Sequence, residues 1–172
     1  MYFDKLKNRL ERTCNTCTMC CQGYLKVQVF DQNLHSGIGC KFLKELGCSV
    51  YHSRPDVCRE FKCSYIYDRS VPEWLKPEFS KVIMLWRYYE DLLVLEVIEC
   101  GEKMSENVLQ WLLEKFLDNK LQNILIMYDK VWYHATRNQQ NFDSIQNSPL
   151  RNDIIKSAKN LPFFAKTLDN LI

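Results

Sequence analysis

Eight cysteines lie close together in one short stretch, and they constrain what this chain can fold into more than any other feature. They fall between residues 14 and 63: Cys14, Cys17, Cys20, Cys21, Cys40, Cys48, Cys58 and Cys63. The remainder of the 172 residues contains one more cysteine, Cys100. Cysteines used only as small apolar side chains would be scattered along a sequence, so this clustering needs a chemical reason.

Disulfide bonds, buried free thiols and bound metal are the three explanations. The first seven residues, MYFDKLK, have no apolar segment, so we expect no secretory signal. No apolar run approaches the ~20 residues of a membrane span, and we expect no membrane partner. We therefore expect a reducing, cytoplasmic compartment, in a cell or a virus, where thiols stay reduced. Dense cysteines in that setting favour metal over disulfide bonds, and they are too dense for packing alone.

The spacing of the first cysteines indicates which cofactor suits them. Two thiolates three positions apart in a tight turn can both reach one metal at about 2.3 Å. The run Cys14-x2-Cys17-x2-Cys20 is typical of an iron–sulfur cluster whose fourth ligand comes from elsewhere, which favours a 4Fe-4S cluster over zinc. Zinc remains the alternative, although zinc sites more often use paired knuckles.

Cys20 and Cys21 are adjacent, which bears on the number of sites. Neighbouring side chains in an extended segment point to opposite faces, so we expect these two to serve different sites, or only one of them to be a ligand. Eight ligands make either two four-sulfur sites or one site with spare cysteines. His35 and His52 are expected not to be ligands, because the cysteines already suffice.

The rest of the pattern predicts an α+β fold in four parts. Residues 1–12 have the spacing of a short amphipathic helix, and residues 13–69 form an irregular metal-binding part with one strand near 24–30. The pattern over residues 70–136 predicts a small antiparallel sheet of two hairpins with a packed helix. Residues 137–172 are predicted to form a linker and C-terminal helices. Cys100 is expected to be buried near a strand end, and His134 to be an ordinary sheet residue.

Within these parts the element bounds are specific. The hairpin strands are predicted over 81–88 and 92–98, and over 124–128 and 131–135 across Asp129-Lys130. The helix between the hairpins should begin after Ser105 and end by Asn119. Its apolar face is predicted to hold Val108, Trp111, Leu112 and Phe116. A C-terminal helix is predicted over roughly 149–160, because Ser148-Pro149 is a helix-opening pair.

The cysteine pattern continues into a longer motif, Val50-Tyr51-x2-Arg54-Pro55-x2-Cys58-Arg59-x-Phe61. With that motif, the chain resembles the CxxCxxCC (YkgJ-type) cysteine cluster family, which is described as a zinc- or iron-chelating domain. All eight cysteine positions of the family have a counterpart here, and a weaker similarity extends to about residue 135. The resemblance implies chelation rather than a particular reaction.

Arg54 and Arg59 are predicted to border the cofactor. Four thiolates around one zinc ion leave a net charge of about −2, and all-cysteine iron–sulfur sites are anionic as well. Guanidinium groups nearby would stabilise that charge through N–H···S contacts. The alternative for these arginines is a surface ion pair with Asp56 or Glu60.

These observations lead to a metal-binding structural module that binds a protein partner or a larger assembly. The alternative is an iron–sulfur redox protein or a cluster-dependent oxidoreductase or methyl transferase component, since some relatives of the family methylate flagellin. Gly37-x-Gly39 precedes a cysteine rather than opening a helix, so no S-adenosylmethionine loop is predicted. The formal charge of +2 gives no basis for nucleic-acid binding. No catalytic residue is assigned, and whether the chain is an enzyme stays open.

Overall fold

The computed structural model describes residues 12–14, 16–35, 37–45, 47–89, 91–118, 120–136, 138, 140, 143 and 155–157. The helix predicted over residues 1–12 therefore lies outside the described residues, apart from Arg12. Most of the predicted linker and C-terminal helices over 137–172 lie outside them as well. Within the described ranges, no helix is both long enough and apolar enough to cross a membrane.

Residues 12–68, the cysteine-rich half, contain only short elements. Two small antiparallel hairpins are each paired over two or three residues. Their strands are β1 (Val27–Val29), β2 (Gln32–Leu34), β3 (Leu43–Lys44) and β4 (Gly47–Cys48). Two short helices follow, α1 (Asp56–Glu60) and α2 (Ser64–Tyr67), and 3₁₀ turns cover Met19–Gln22 and Tyr51–Ser53. The strand predicted near residues 24–30 is confirmed by β1.

Gly23 ends the first of these turns and allows a close approach of two chain segments. It has φ +87°, and a Cβ atom there would lie 2.3 Å from the carbonyl oxygen of Ile38. Only glycine combines that left-handed backbone with so little space. The approach brings residues 35–40 against the turn that carries Cys20 and Cys21.

The sheet half, residues 71–136 together with 155–157, is built around five strands. After a 3₁₀ turn (Glu73–Leu75) and the short helix α3 (Pro77–Ser80), the chain enters the sheet. The elements are β5 (Val82–Tyr89), β6 (Leu92–Glu99), α4 (Glu106–Leu117), β7 (Asn123–Tyr128), β8 (Val131–Thr136) and β9 (Ile155–Ser157). The strands lie in the order β5-β6-β7-β8-β9. Both predicted hairpins and the helix between them are confirmed within one residue or two at each end.

The sheet is mixed rather than antiparallel, which corrects the prediction. The hairpins β5–β6 and β7–β8 are antiparallel, but β6 pairs with β7 in parallel, with Leu95 opposite Ile124. The connection through α4 explains this pairing, because a helix that crosses one face of the sheet returns the next strand in the same direction. The two hairpins therefore share one sheet.

The helix predicted over 149–160 is wrong at the residues described there. Ile155–Ser157 is the strand β9, which pairs in parallel with β8, with Tyr133 opposite Lys156. The free edge of β8 offers unpaired backbone groups, and pairing with them outweighs the local helix signal.

The apolar core lies between the sheet and α4. Val108, Leu112 and Phe116 are buried as predicted, whereas Trp111 is only half-buried. Leu109 and Leu113 are buried too, so the apolar face of α4 is wider than predicted. Opposite the helix, the sheet contributes the buried side chains Val82, Met84, Leu95, Val97, Ile124 and Ile126. Met19, Leu25 and Tyr65 join this core from the cysteine-rich half, so the two halves share one packed interior.

Glu99 connects two loops at one end of the sheet. Its carboxylate accepts backbone hydrogen bonds from Met104 and from Asp129, each at 2.8 Å. Asp129 and Lys130 both have positive φ, the geometry of a type I′ hairpin turn. The buried carboxylate thus fixes the β7–β8 turn against the loop that leads into α4.

Candidate metal centre

All nine cysteines are among the described residues, and all are free thiols. Cys63 and Cys100 are buried, and the other seven are half-buried. We group the eight clustered thiols into two sets by their main neighbours, and the sets touch where Cys21 acts on Cys20 and Cys14 acts on Cys21. We call them set A (Cys14, Cys17, Cys20, Cys63) and set B (Cys21, Cys40, Cys48, Cys58).

Set A forms around the C-x2-C-x2-C run. The backbone N–H of Cys17 donates to the carbonyl of Cys14 at 2.8 Å, closing a tight turn between them. Burial raises the pKa of the Cys20 thiol far above its ordinary value, and the neighbouring thiols of Cys63, Cys14 and Cys17 raise it further. Burial is also the main cause of the raised pKa of Cys63, and the thiols of Cys14 and Cys17 raise it further. Cys63 is therefore the distant thiol that joins the run.

Set B is assembled by backbone pairing. The N–H of Cys40 donates to the carbonyl of Cys21 at 2.7 Å, so these residues are held side by side. The N–H of Leu43 donates to the carbonyl of Cys40 at 3.0 Å, and Leu43 is the pairing partner of Cys48 across the β3–β4 hairpin. These hydrogen bonds thus bring Cys21, Cys40 and Cys48 into one neighbourhood.

Cys58 completes set B from helix α1. Burial raises the pKa of Cys58, and Cys40 and Cys48 raise it further. Burial raises the pKa of Cys21 to about 11, followed by the effects of Cys40, Cys48 and Cys58. The adjacent residues Cys20 and Cys21 are therefore associated mainly with different sets.

The thiols of each set are neighbours without being gathered around a single point. In the part of the chain that the structure describes, no three Cys, His, Asp or Glu side chains form a group that could hold a metal ion as positioned. A thiol must lose its proton to become a metal ligand, so coordination would change both the charge and the spacing of these sulfurs.

Arg54 lies near both sets. It lowers the pKa of Cys14 in set A and of Cys58 in set B, opposing the larger effect of burial on each. Its Nε donates to the carbonyl of Tyr51 at 2.9 Å, and its guanidinium stacks 3.7 Å from the centre of the Tyr51 ring. These two contacts fix a positive charge close to the thiols.

Arg59 has the alternative role. It is exposed on α1 and forms an ion pair with Asp56, one turn earlier on the same helix. The i, i+3 spacing of the two residues on a helix explains this pairing.

Lys76 is a cation that the sequence interpretation missed. It is buried, pairs with Glu78, and lowers the pKa of Cys14. Nothing in its immediate sequence marks it as a neighbour of a thiol more than sixty positions away. Its position follows from the packing of the Glu73–Leu75 turn and α3 beside set A.

Cys100 is buried immediately after β6, as predicted, and its Sγ donates to the carbonyl of Ile98 at 3.5 Å. Burial raises its pKa to about 12, and Cys17 of set A contributes.

His134 is a buried residue of β8 opposite Leu125, also as predicted. His52 is exposed and packs edge-on against Tyr51, while His35 forms an isolated bridge with Ile38.

Comparison with known proteins identifies no matching family model, no similar curated protein and no similar solved structure. The chemistry of the site therefore rests on its own residues. Two sets of four thiols, with fixed cations beside them, supply the donors that a tetrahedral thiolate site or an iron–sulfur cluster requires.

Proposed function

We propose that this chain is a metal-binding protein with two tetrathiolate sites, formed by set A and set B, and that it acts mainly as a structural and interaction module. The observation that carries the proposal is the backbone arrangement that brings thiols distant in the sequence together: the Cys40 N–H donates to the carbonyl of Cys21, and Leu43, which follows Cys40, pairs with Cys48. The donor set fits the function, because four cysteine sulfurs complete either a zinc site or a cluster.

The sets differ in which cofactor they favour. Set A has the C-x2-C-x2-C run with one distant cysteine, the pattern typical of a 4Fe-4S cluster. Set B has no such run and suits zinc as well as iron. The resemblance to the CxxCxxCC cysteine cluster family supports chelation by all eight cysteines and leaves both metals open. An iron–sulfur cluster in set A is the form we favour.

The structural role follows from how little else supports the cysteine-rich half. Among the described residues of that half, the buried apolar side chains other than those of Cys63 and Tyr65 are Met19, Leu25, Val29 and Leu34. Where a metal site does not exist in the unfolded chain, the free energy of binding contributes to folding, on the order of 10 kcal/mol for structural zinc. Most side chains of the shared apolar core come from the sheet half, which therefore depends less on the metal and is the half that we expect to bind a protein partner.

A redox function is the second candidate, and the adjacency of Cys20 and Cys21 favours it. Consecutive Cα atoms are about 3.8 Å apart, so two cofactors ligated by these neighbours would lie close together. Closely spaced clusters suit electron transfer. This candidate requires iron in both sets.

Elemental analysis of protein purified anaerobically tests the proposal. We expect about two zinc ions per chain, about four irons with one zinc, or about eight irons, according to which cofactor each set holds. Iron in both sets with reversible bleaching of visible absorption would favour the redox candidate. Protein that contains neither metal, and that takes up neither under anaerobic reconstitution, would overturn both candidates.

A further inference from the structure

The turn between Cys14 and Cys17 is bonded to a residue of the sheet half. Thr16, which lies inside this turn, donates a hydrogen bond from its Oγ1 to the carboxylate of Glu78 at 2.8 Å. Glu78 belongs to α3, which leads directly into β5. The hydroxyl of Thr16 therefore ties the first two thiols of set A to α3.

Glu78 also pairs with Lys76, which lies immediately before α3. The Lys76 side chain is 9% exposed and that of Glu78 is 19% exposed, so this ion pair is shielded from water. The hydrogen bond from Lys76 lowers the pKa of Glu78, and the hydrogen bond from Thr16 acts in the same direction. The carboxylate is therefore ionised, and it connects the lysine to the turn of set A.

Lys76 is associated with set A and not with set B. Burial raises the pKa of Cys14, and both Arg54 and Lys76 oppose that rise. On Cys58 of set B, Arg54 acts in the same way but Lys76 does not. The hydrogen-bonded path from Lys76 through Glu78 to Thr16 explains the difference, because it ends between two thiols of set A.

Metal binding would change the charge beside Lys76. Four neutral thiols would become four thiolates, and with one zinc ion the site would carry a net charge of about −2. A shielded ammonium group beside these thiolates gains a favourable interaction in the metal-bound form only, and such an interaction raises the affinity for the metal.

We propose that Lys76 balances the charge of set A when metal is bound, and that Glu78 is a positioning residue, which holds Lys76 and, through Thr16, the turn between Cys14 and Cys17. The inference rests on the proposed function, because it concerns metal binding by set A. It goes further in making set A, but not set B, dependent on two residues of the sheet half.

The test measures the zinc affinity of each set in the full-length chain, by competition with a chelator of known affinity. Cys40→Ser with Cys48→Ser leaves set A intact, and Cys14→Ser with Cys17→Ser leaves set B intact. We expect Lys76→Gln to weaken zinc binding by set A about tenfold and to leave set B unchanged. Lys76→Arg, which keeps the charge, should retain the affinity of set A.

Substitutions of Glu78 and Thr16 separate charge balance from mere support of the fold. In Glu78→Gln the amide oxygen can still accept hydrogen bonds from Lys76 and Thr16, while a negative charge beside set A is removed. We therefore expect Glu78→Gln to bind zinc in set A at least as tightly as its parent. Thr16→Val loses the hydrogen bond and should weaken set A about threefold. Lys120→Gln, which removes a lysine from an exposed ion pair with Asp118, is the control and should change neither set.

Three results would overturn the inference while zinc is still bound. They are an unchanged affinity of set A in Lys76→Gln, equal losses in both sets, and a loss in Glu78→Gln as large as that in Lys76→Gln. If a double cysteine variant takes up no zinc, two-site competition on the chain with all eight clustered cysteines gives the same comparison. Absence of zinc and iron uptake by that chain would overturn the proposed function, and this inference with it.

Discussion

Strands in the cysteine-rich half are two or three residues long, whereas β5 to β8 in the sheet half run to six or eight. The sheet half buries Val82, Val94, Val97, Val108 and Ile126 completely, and a helix packs on its face. Six or more paired residues with a covered apolar face can hold themselves together, but isolated two-stranded hairpins are marginal in water. The difference shows that the sheet half is organised by apolar burial, and from it we infer that the cysteine-rich half needs metal bound to its thiols.

Removal of the metal should separate the two halves most clearly. We expect the cysteine-rich half to unfold, because binding free energy on the order of 10 kcal/mol is lost with the metal. The amides of β6 and β7 should keep their slow hydrogen exchange, because most of the apolar core beneath them comes from the sheet and α4 rather than from the cysteine-rich half. Hydrogen exchange followed by mass spectrometry measures both halves in one experiment. Equal protection of residues 12–68 with and without metal would contradict the comparison.

A cavity created by mutation in the sheet core should destabilise the sheet half and leave metal binding by the cysteine-rich half unchanged. Leu112→Ala, on the buried face of α4, is expected to lower the free energy of unfolding of the sheet half by about 2–5 kcal/mol. Leu93→Ala is the matched control, since Leu93 is 41% exposed and its truncation should cost far less. Chemical denaturation of the metal-loaded protein gives both values. A metal content lowered by Leu112→Ala would show that the two halves are more strongly coupled than we propose.

The two arginines of the motif should differ in their effect on metal binding. Arg54→Gln removes the charge that lowers the pKa of Cys14 and Cys58, so we expect metal affinity to fall by about tenfold. Arg59→Gln removes only an exposed ion pair with Asp56 and should leave the affinity unchanged. Competition with a chelator of known affinity measures both. Equal losses in the two variants would count against the position of Arg54 beside the thiols.

The smallest expected effect is on pH dependence. Burial raises the pKa of Cys100, in the sheet half, to about 12 in the folded chain, compared with an ordinary value of 9.0. The folded sheet half keeps this proton where the unfolded chain releases it. The stability that this thiol contributes is therefore fully present below pH 9 and is lost progressively as the pH rises from 9 towards 12.

The Cys100→Ser variant has no thiol at this position, so the same loss should be absent. Chemical denaturation of the original chain and of the variant between about pH 7 and pH 10.5 compares them directly. Parallel curves would mean that Cys100 does not carry the pH dependence.

The elements that depend on local sequence were predictable. Runs of β-branched and aromatic residues predicted the four hairpin strands, and Ser105 marked the start of α4 correctly.

What depended on distant parts of the chain was not predictable. The parallel pairing of β6 with β7 joins residues about thirty positions apart, and no periodicity in either strand encodes the direction of its partner. The strand at Ile155–Ser157 forms because the edge of β8 is available, not because of the residues beside it. Lys76 lies beside set A because α3 packs there. For Arg59 the sequence left two roles open, and the ion pair with Asp56 was one of them.

The central claim is that the eight thiols form two independent groups of four, and paired substitutions test it most directly. Metal content per chain is measured by elemental analysis for Cys20→Ser with Cys63→Ser, both in set A, and for Cys20→Ser with Cys21→Ser, one from each set. Cys100→Ser is the control that removes a thiol outside both sets. We predict that the first double variant keeps the metal of set B, that the second loses the metal of both sets, and that the control keeps both. Equal metal content in the two double variants would contradict the account.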